Sequence, residues 1–306
     1  MPLRHCLAAG LVAVIWGFNF IAVHASLEQF PPFLLVLLRW VCVAVPTVLL
    51  VPRPTGPVRH LIGYGIGFGT LQFLFFYWGM AAGMPTGLTS LVLQASAPFT
   101  VLLGVVFFRE RLTVARALGV TVAGAGLVLV GSQRAAATGV LPFVLVLAGA
   151  LGWAFGNLAS RAARPAEPMR FILWASVVPI LPMALVSALA EGPQRIATAI
   201  GTAGQAPWAL AGLAYTCLAA TLVGGALWTW LLARHPAGAV APWSMLAPVT
   251  GLAAAVALLG ERPSTLEWVG CAIVVVGVIT ASTSPTSPRA WLRGSPGSPR
   301  RAAQRT

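Results

Sequence analysis

Residues 83–112, GMPTGLTSLVLQASAPFTVLLGVVFFRERL, hold a nearly uninterrupted apolar run from Leu88 to Phe108. Gly-Met-Pro-Thr-Gly precedes it and Arg109-Glu110-Arg111 closes it. About 20 apolar residues rising 1.5 Å each cross the hydrocarbon core of a bilayer. The same design returns 151 positions later: Pro85 meets Pro236, Gly87 meets Gly238, and Glu110-Arg111 meets Glu261-Arg262. Tyr64 and Tyr215, Gly119 and Gly270, and Gly126 and Gly277 share that offset without slippage. A duplicated membrane protein is the reading that follows.

The solvent inferred from composition agrees. The chain is 58% hydrophobic and 8% charged, with a mean hydropathy of +0.88, whereas a soluble domain carries about 25% charged residues. The net charge of +13 does not mark a nucleic-acid partner. All 19 basic residues are arginines, scattered between apolar runs or gathered at the tail, which is a membrane-topology pattern rather than a binding face. Cys6, Cys42, Cys217 and Cys271 are isolated, and no spacing among them suggests a disulfide framework or a metal site.

Ten spans are expected, at 7–25, 32–51, 61–81, 86–108, 114–131, 140–160, 170–190, 208–232, 238–259 and 266–282. They are helices because backbone groups in lipid must pair within their own segment. With the N-terminus in the cytoplasm, fifteen arginines fall inside and only Arg134, Arg195 and Arg262 outside, the asymmetry that orients helical membrane proteins. The expected fold is an all-α polytopic membrane protein of ten transmembrane helices in two repeats, 1–134 and 139–282. Five spans per repeat is an odd number, so the second repeat enters the membrane inverted. Such repeats recur in secondary transporters, with the substrate near the midplane between them. The Ser/Pro/Arg-rich tail, 283–306, is expected to be disordered and cytoplasmic, and 191–207 is the longest external connection, with room for a short interfacial helix.

Arg39, in LLVLLRWVCVAV, sits near the middle of the second span, where an ionised side chain costs several kcal/mol unless paired or hydrated. It fits two roles, a guanidinium bound to backbone carbonyls or a charge that meets a substrate carboxylate. Trp16 and Asn19 in the first span are matched by Trp153 and Asn157 in the sixth. An aromatic ring beside an amide suits the wall of a polar pocket, and also suits interhelical packing. On the fourth span Ser90 and Gln94 share a helical face, as do Ser96 and Thr100. Gln94 reads as a substrate contact, Thr100 as packing, and Gln72 on the third span fits either. Gly63-Tyr64-Gly65-Ile66-Gly67-Phe68-Gly69 lacks dinucleotide spacing, and its two interleaved G-x-x-x-G pairs read as close helix packing. All six acidic residues are glutamates in loops or at span ends, so no embedded carboxylate offers itself as a proton carrier, and His24 is the titrating group nearest the core. No paired carboxylates or nucleophile-base pair points to an enzyme, and no cofactor is expected.

WGFNF in the first span, LRW in the second, IGYGIGFG, LGWAFGN, LWASVVPILP and the 83–112 stretch resemble the EamA family of the drug/metabolite transporter superfamily. The resemblance runs from about residue 7 to residue 282. It implies export of small amino-acid-type metabolites, cysteine- or O-acetylserine-like, by alternating access without ATP. It also implies a bacterial inner-membrane location with both termini cytoplasmic. His24 stands where many relatives carry Lys, and Pro98 beside Ser96 is a second departure. The expected partners are a small amino-acid-like substrate and the lipid bilayer, with no nucleic acid, the chain acting as a monomer. Arg39, Trp16, Asn19, Gln72, Ser90, Gln94, Trp153 and Asn157 are the expected substrate-binding residues. Transport of amphipathic drug-like compounds through the same aromatic cavity is the competing expectation.

Overall fold

The structure is a computed structural model that describes residues 1–109, 112–235, 240, 243–244 and 246–283. Glu110-Arg111, Pro236 and Gly238 at the expected start of the ninth span, and the tail beyond residue 283 lie outside the described residues. Among those described, eight helices are long and apolar enough to cross a membrane: α1 (Leu3–Leu27), α2 (Pro32–Leu50), α3 (Val58–Ala81), α4 (Thr86–Phe108), α5 (Val114–Thr138), α6 (Leu141–Ala163), α7 (Pro168–Ala190) and α8 (Pro207–Leu232). Two further apolar helices follow, α9 (Leu246–Leu259) and α10 (Thr265–Thr283). A connecting helix, Pro193–Gly201, lies between α7 and α8, where the sequence left room for one.

Helix boundaries follow from local chemistry. Pro stands in the first turn of α2 and α6 and opens α7 and α8, where its missing N–H has no intrahelical partner to lose. Gly83, Gly139, Gly192 and Gly260 terminate segments with positive φ, a region open to glycine. The sequence expectation ended the fifth span at residue 131, but α5 continues to Thr138. Ser-Gln-Arg-Ala-Ala-Ala is less apolar, yet contains no helix breaker until Gly139. The seventh span is interrupted. Helix runs over Pro168–Ala175 and Ile180–Ala190, with a turn between them in which Val178 N donates to Ala175 O. Pro179 supplies no N–H there, and the Ser176 hydroxyl donates to Leu173 O, so the α ladder cannot continue unbroken.

Packing is set by glycines that let backbones meet. α1 packs on α8 and α9, α6 on α3 and α4, α2 on α7, and α5 on α10. A Cβ at Gly67 would lie 2.5 Å from Gly156 N on α6, whereas one at Gly65 would run into the Val178 side chain on α7. The two interleaved glycine pairs of α3 therefore face two different helices, Gly63 and Gly67 toward α6 and Gly65 and Gly69 toward α7. Within α3, Gly65–Gln72 is wound as π-helix, and Tyr215–Val223 of α8 is wound the same way.

The α5–α10 seam gives a stability test. A Cβ on Gly126 would sit 2.8 Å from both Gly270 O and Val274 N, while one on Gly124 would meet nothing within 4 Å. Gly126→Ala is therefore expected to cost about 1–3 kcal/mol. Gly124→Ala, two residues away, is expected to be neutral or to stabilise by about 0.5–1 kcal/mol. Thermal unfolding in detergent checks the contrast; equal midpoints for the two variants would contradict this packing.

Candidate functional site

Arg39 is 5% exposed on α2, and its guanidinium joins three helices. Nη1 donates to the Tyr77 hydroxyl of α3 at 3.0 Å, and Nη2 donates to Thr221 Oγ1 of α8 at 3.0 Å. The Phe73 ring lies under the guanidinium carbon at 4.0 Å, a favourable cation–π arrangement. Neither hydroxyl is ionised, and no carboxylate among the described residues lies within ion-pair distance of Arg39. Its Nε is buried without a hydrogen-bond partner. The sequence reading of a guanidinium tied to carbonyls is thus replaced by one held by hydroxyls and a ring.

The π-wound stretch of α8 builds one side of this site. Thr221 Oγ1 donates to Thr216 O at 2.8 Å, five residues back. Thr70 in the π stretch of α3 does the same to Gly65 O at 3.3 Å. Trp16 Nε1 donates to Ala220 O at 3.1 Å, so Trp16 and Arg39 are bound to adjacent residues of α8. Cys217 Sγ lies against Arg39 O at 3.7 Å.

Asn19 lies on the face of α1 that meets α8, four residues after Ile15, whose carbonyl accepts from the Tyr215 hydroxyl, and seven before Ser26, whose hydroxyl donates to Ala209 O. Asn19 Oδ1, Gln72 Oε1 and Thr216 Oγ1 are buried without partners. Buried polar atoms are nearly always satisfied by protein, water or ligand, so these oxygens and Arg39 Nε each have room in their bonding for a further polar partner. Gln72 directly precedes the Phe73 ring under Arg39.

Other expected residues serve contacts between helices in this conformation. The Ser90 hydroxyl reaches Gly87 O at 2.6 Å and Pro248 O of α9 at 3.2 Å. Asn157 Nδ2 donates to Thr100 Oγ1 at 3.1 Å, joining α6 to α4. Gln94 is buried on α4. Trp153 contacts Phe68, which in turn meets Phe73 edge-on, placing it two rings from the guanidinium. Tyr77, Phe73, Thr216 and Thr221 were not singled out from the sequence. Thr70 and Thr221 share the 151-residue offset, and that was the signal available for them. Two surface clefts of about 570 and 410 Å³ lie beside the connecting helix, around Arg195 and Thr198, and neither is lined by Arg39.

A bundle of membrane-length helices with an arginine buried among three of them defines a multi-pass membrane protein. The model of the EamA-like transporter family matches the chain twice, over residues 3–132 and 140–283. The chain belongs to that family, and is a transporter rather than an enzyme. It is 38% identical over 275 residues to a probable amino-acid metabolite efflux pump of Escherichia coli (strain K12), covering 88% of this chain and 91% of that protein. It is 39% identical over 278 residues to a protein of the same description from Salmonella typhimurium, with the same coverage. A probable terminal-alkyne amino-acid exporter of Streptantibioticus cattleyicolor is 29% identical over 284 residues, 88% of this chain and 90% of that protein. A solved crystal structure at 23% identity superposes with a TM-score of 0.59, covering 96% of this chain and 99% of that one, and it shows the fold alone.

Tyr77→Phe keeps the ring and removes the acceptor for Arg39 Nη1. A hydrogen bond to a charged group contributes about 1.5–3 kcal/mol, so this variant is expected to lose stability of that order. Thermal unfolding in detergent measures it; an unchanged midpoint would mean the bond is replaced by water.

Proposed function

We propose that the chain is a bacterial inner-membrane secondary transporter that exports small amino-acid-type metabolites, cysteine- or O-acetylserine-like, by alternating access. The observation that carries this reading is Arg39, a buried cation held by neutral hydroxyls and without a carboxylate partner among the described residues. An α-carboxylate is the complementary guest, and it would gain a charge-assisted bidentate contact. The orphan oxygens of Asn19, Gln72 and Thr216 suit the ammonium of the same zwitterion, whose three N–H groups need acceptors. Trp16 and Trp153 provide apolar wall for a short side chain, and Ser90, Gln94 and Asn157 join the site as α4 and α6 move. The names of the relatives support an amino-acid-like substrate.

The architecture proposed is two inverted five-helix repeats, residues 1–134 and 139–282, followed by a cytoplasmic tail, with both termini inside and the chain working as a monomer. Exchanging the repeats turns the α1–α8 contact into α6–α3 and α1–α9 into α6–α4, while α2–α7 and α5–α10 map onto themselves. All of these pairings occur, and the π-wound stretches of α3 and α8 correspond under the same exchange. These matches support a pseudo-two-fold axis in the membrane plane.

Export is tested by metabolite release from cells expressing the chain. The wild type is expected to raise extracellular cysteine or O-acetylserine. Arg39→Ala should abolish that release with membrane levels unchanged, and Arg39→Lys, which keeps charge but loses the planar fork, should retain a minor fraction. Full release by Arg39→Ala would remove carboxylate recognition from the site. A resistance profile toward amphipathic drug-like compounds with no amino-acid release would replace the substrate class.

A further inference from the structure

Two glutamates close one end of the bundle, and neither caps its own helix. Glu261, just beyond α9, accepts from Thr86 N at 2.6 Å and Gly87 N at 3.0 Å, the first N–H groups of α4. Glu191, at the end of α7, accepts from Phe33 N at 2.7 Å and Leu34 N at 2.9 Å in the first turn of α2. The N-caps of α4 and α2 are Pro85 and Pro31, which offer no capping side chain. The exposed N–H groups of a helix start are ordinarily met by a local Ser, Thr, Asp or Asn. Here the partner comes from the other half of the chain in both cases, and both helices begin at the same end.

Beneath the Glu261 clasp the seam is tight. A Cβ on Gly87 would sit 2.6 Å from Leu252 and 3.1 Å from Ala255 of α9, and Leu88 and Thr89 are wholly buried. The hydroxyl of Thr86 lies 3.3 Å from His24 Nδ1, drawing α1 to the same point. Ser90 follows one turn deeper on α4.

We propose that Glu261 is a gate residue, whose carboxylate holds the start of α4 against the end of α9 and must release it for the site to open at this end. The proposal rests on the alternating-access reading. A carboxylate and two backbone N–H groups at a membrane edge suit a reversible closure, because water can satisfy both sides once they part. A dry side-chain seal offers the released surfaces no such compensation. The two clasps share one geometry, a carboxylate that accepts from two N–H groups at a helix start preceded by Pro.

The test reads access rather than stability. Labelling is followed in a chain whose four native cysteines are replaced by Ser and which carries L88C as a buried reporter. A membrane-impermeant maleimide is applied to right-side-out and to inside-out vesicles, so that either orientation is sampled. Export is measured separately in the chain with its native cysteines. Glu261→Gln is expected to raise the L88C labelling rate at least tenfold from one side and to lower export at least tenfold at unchanged membrane level. Glu261→Asp should recover part of both. Thr86→Pro provides a second route, since Pro suits the first helical position while deleting one N–H of the clasp, and it should speed labelling as well. Equal labelling of the reference chain, Glu261→Gln and Thr86→Pro would overturn the proposal, whatever happened to export. Loss of Glu261→Gln from the membrane together with reference-like labelling of Thr86→Pro would overturn it too. If the wild type released no amino acid while the labelling contrast persisted, the gate would stand and the substrate reading would fall.

Discussion

Removing a guanidinium from water into an apolar bundle costs several kcal/mol unless something replaces its hydration. Around Arg39 that replacement is two hydroxyls and an aromatic face, drawn from α3 and α8. None of the three neutralises the charge, so the position of these helices and the electrostatics of the site follow from the same contacts. A resident carboxylate would have quenched the field. Hydroxyl partners hold the side chain in place without neutralising its charge.

The two helices that supply hydroxyls to Arg39, α3 and α8, each contain a π-wound stretch. In both π-wound stretches a threonine hydroxyl reaches the carbonyl five residues back, and π turns inside longer helices are frequent at functional sites. The resemblance between the halves stops at the charge. Beyond Arg170 in its first turn, α7 has no arginine and is broken near Pro179, whose ring packs on Gly69. α3 and α8 thus share their winding, whereas α2 and α7 do not share the buried cation.

Middle and ends of the bundle are held by different physics. Glycine seams such as Gly67 on Gly156 and Gly277 on Ala123 bring backbones into contact, and their energy lies in dispersion over close surfaces. They resist sliding. The end at which α2 and α4 begin is closed by Glu191 and Glu261 through polar bonds that water can replace. Motion is therefore expected at the ends of helices, with the glycine-packed pairs moving as units.

Much of this was legible in the residues alone. Hydropathy and length located the eight membrane-length helices, the constant offset anticipated the two matches to the family model, and a lone arginine in an apolar run drew attention to α2. Asn19 and Gln72 stood out for their amides, and both side-chain oxygens are buried without a partner. The boundaries that failed were those of α5, where polar residues remain helical in the absence of a breaker, and α7, where Pro179 and Ser176 interrupt an apolar run that looks continuous. Ser90 and Asn157 were legible as polar, yet only packing showed that they bond to Pro248 O and Thr100. Tyr77 and Thr221 lie 38 and 182 positions from the arginine they hold. Span location and charge bias are properties of a residue within its own segment, so the sequence by itself determined them. Which hydroxyl meets the guanidinium, and which glutamate closes which helix, depends on the approach of segments far apart in the chain. Only the tertiary structure decided those partners, because a hydrogen bond is set by distance and angle in space and leaves no period in the sequence.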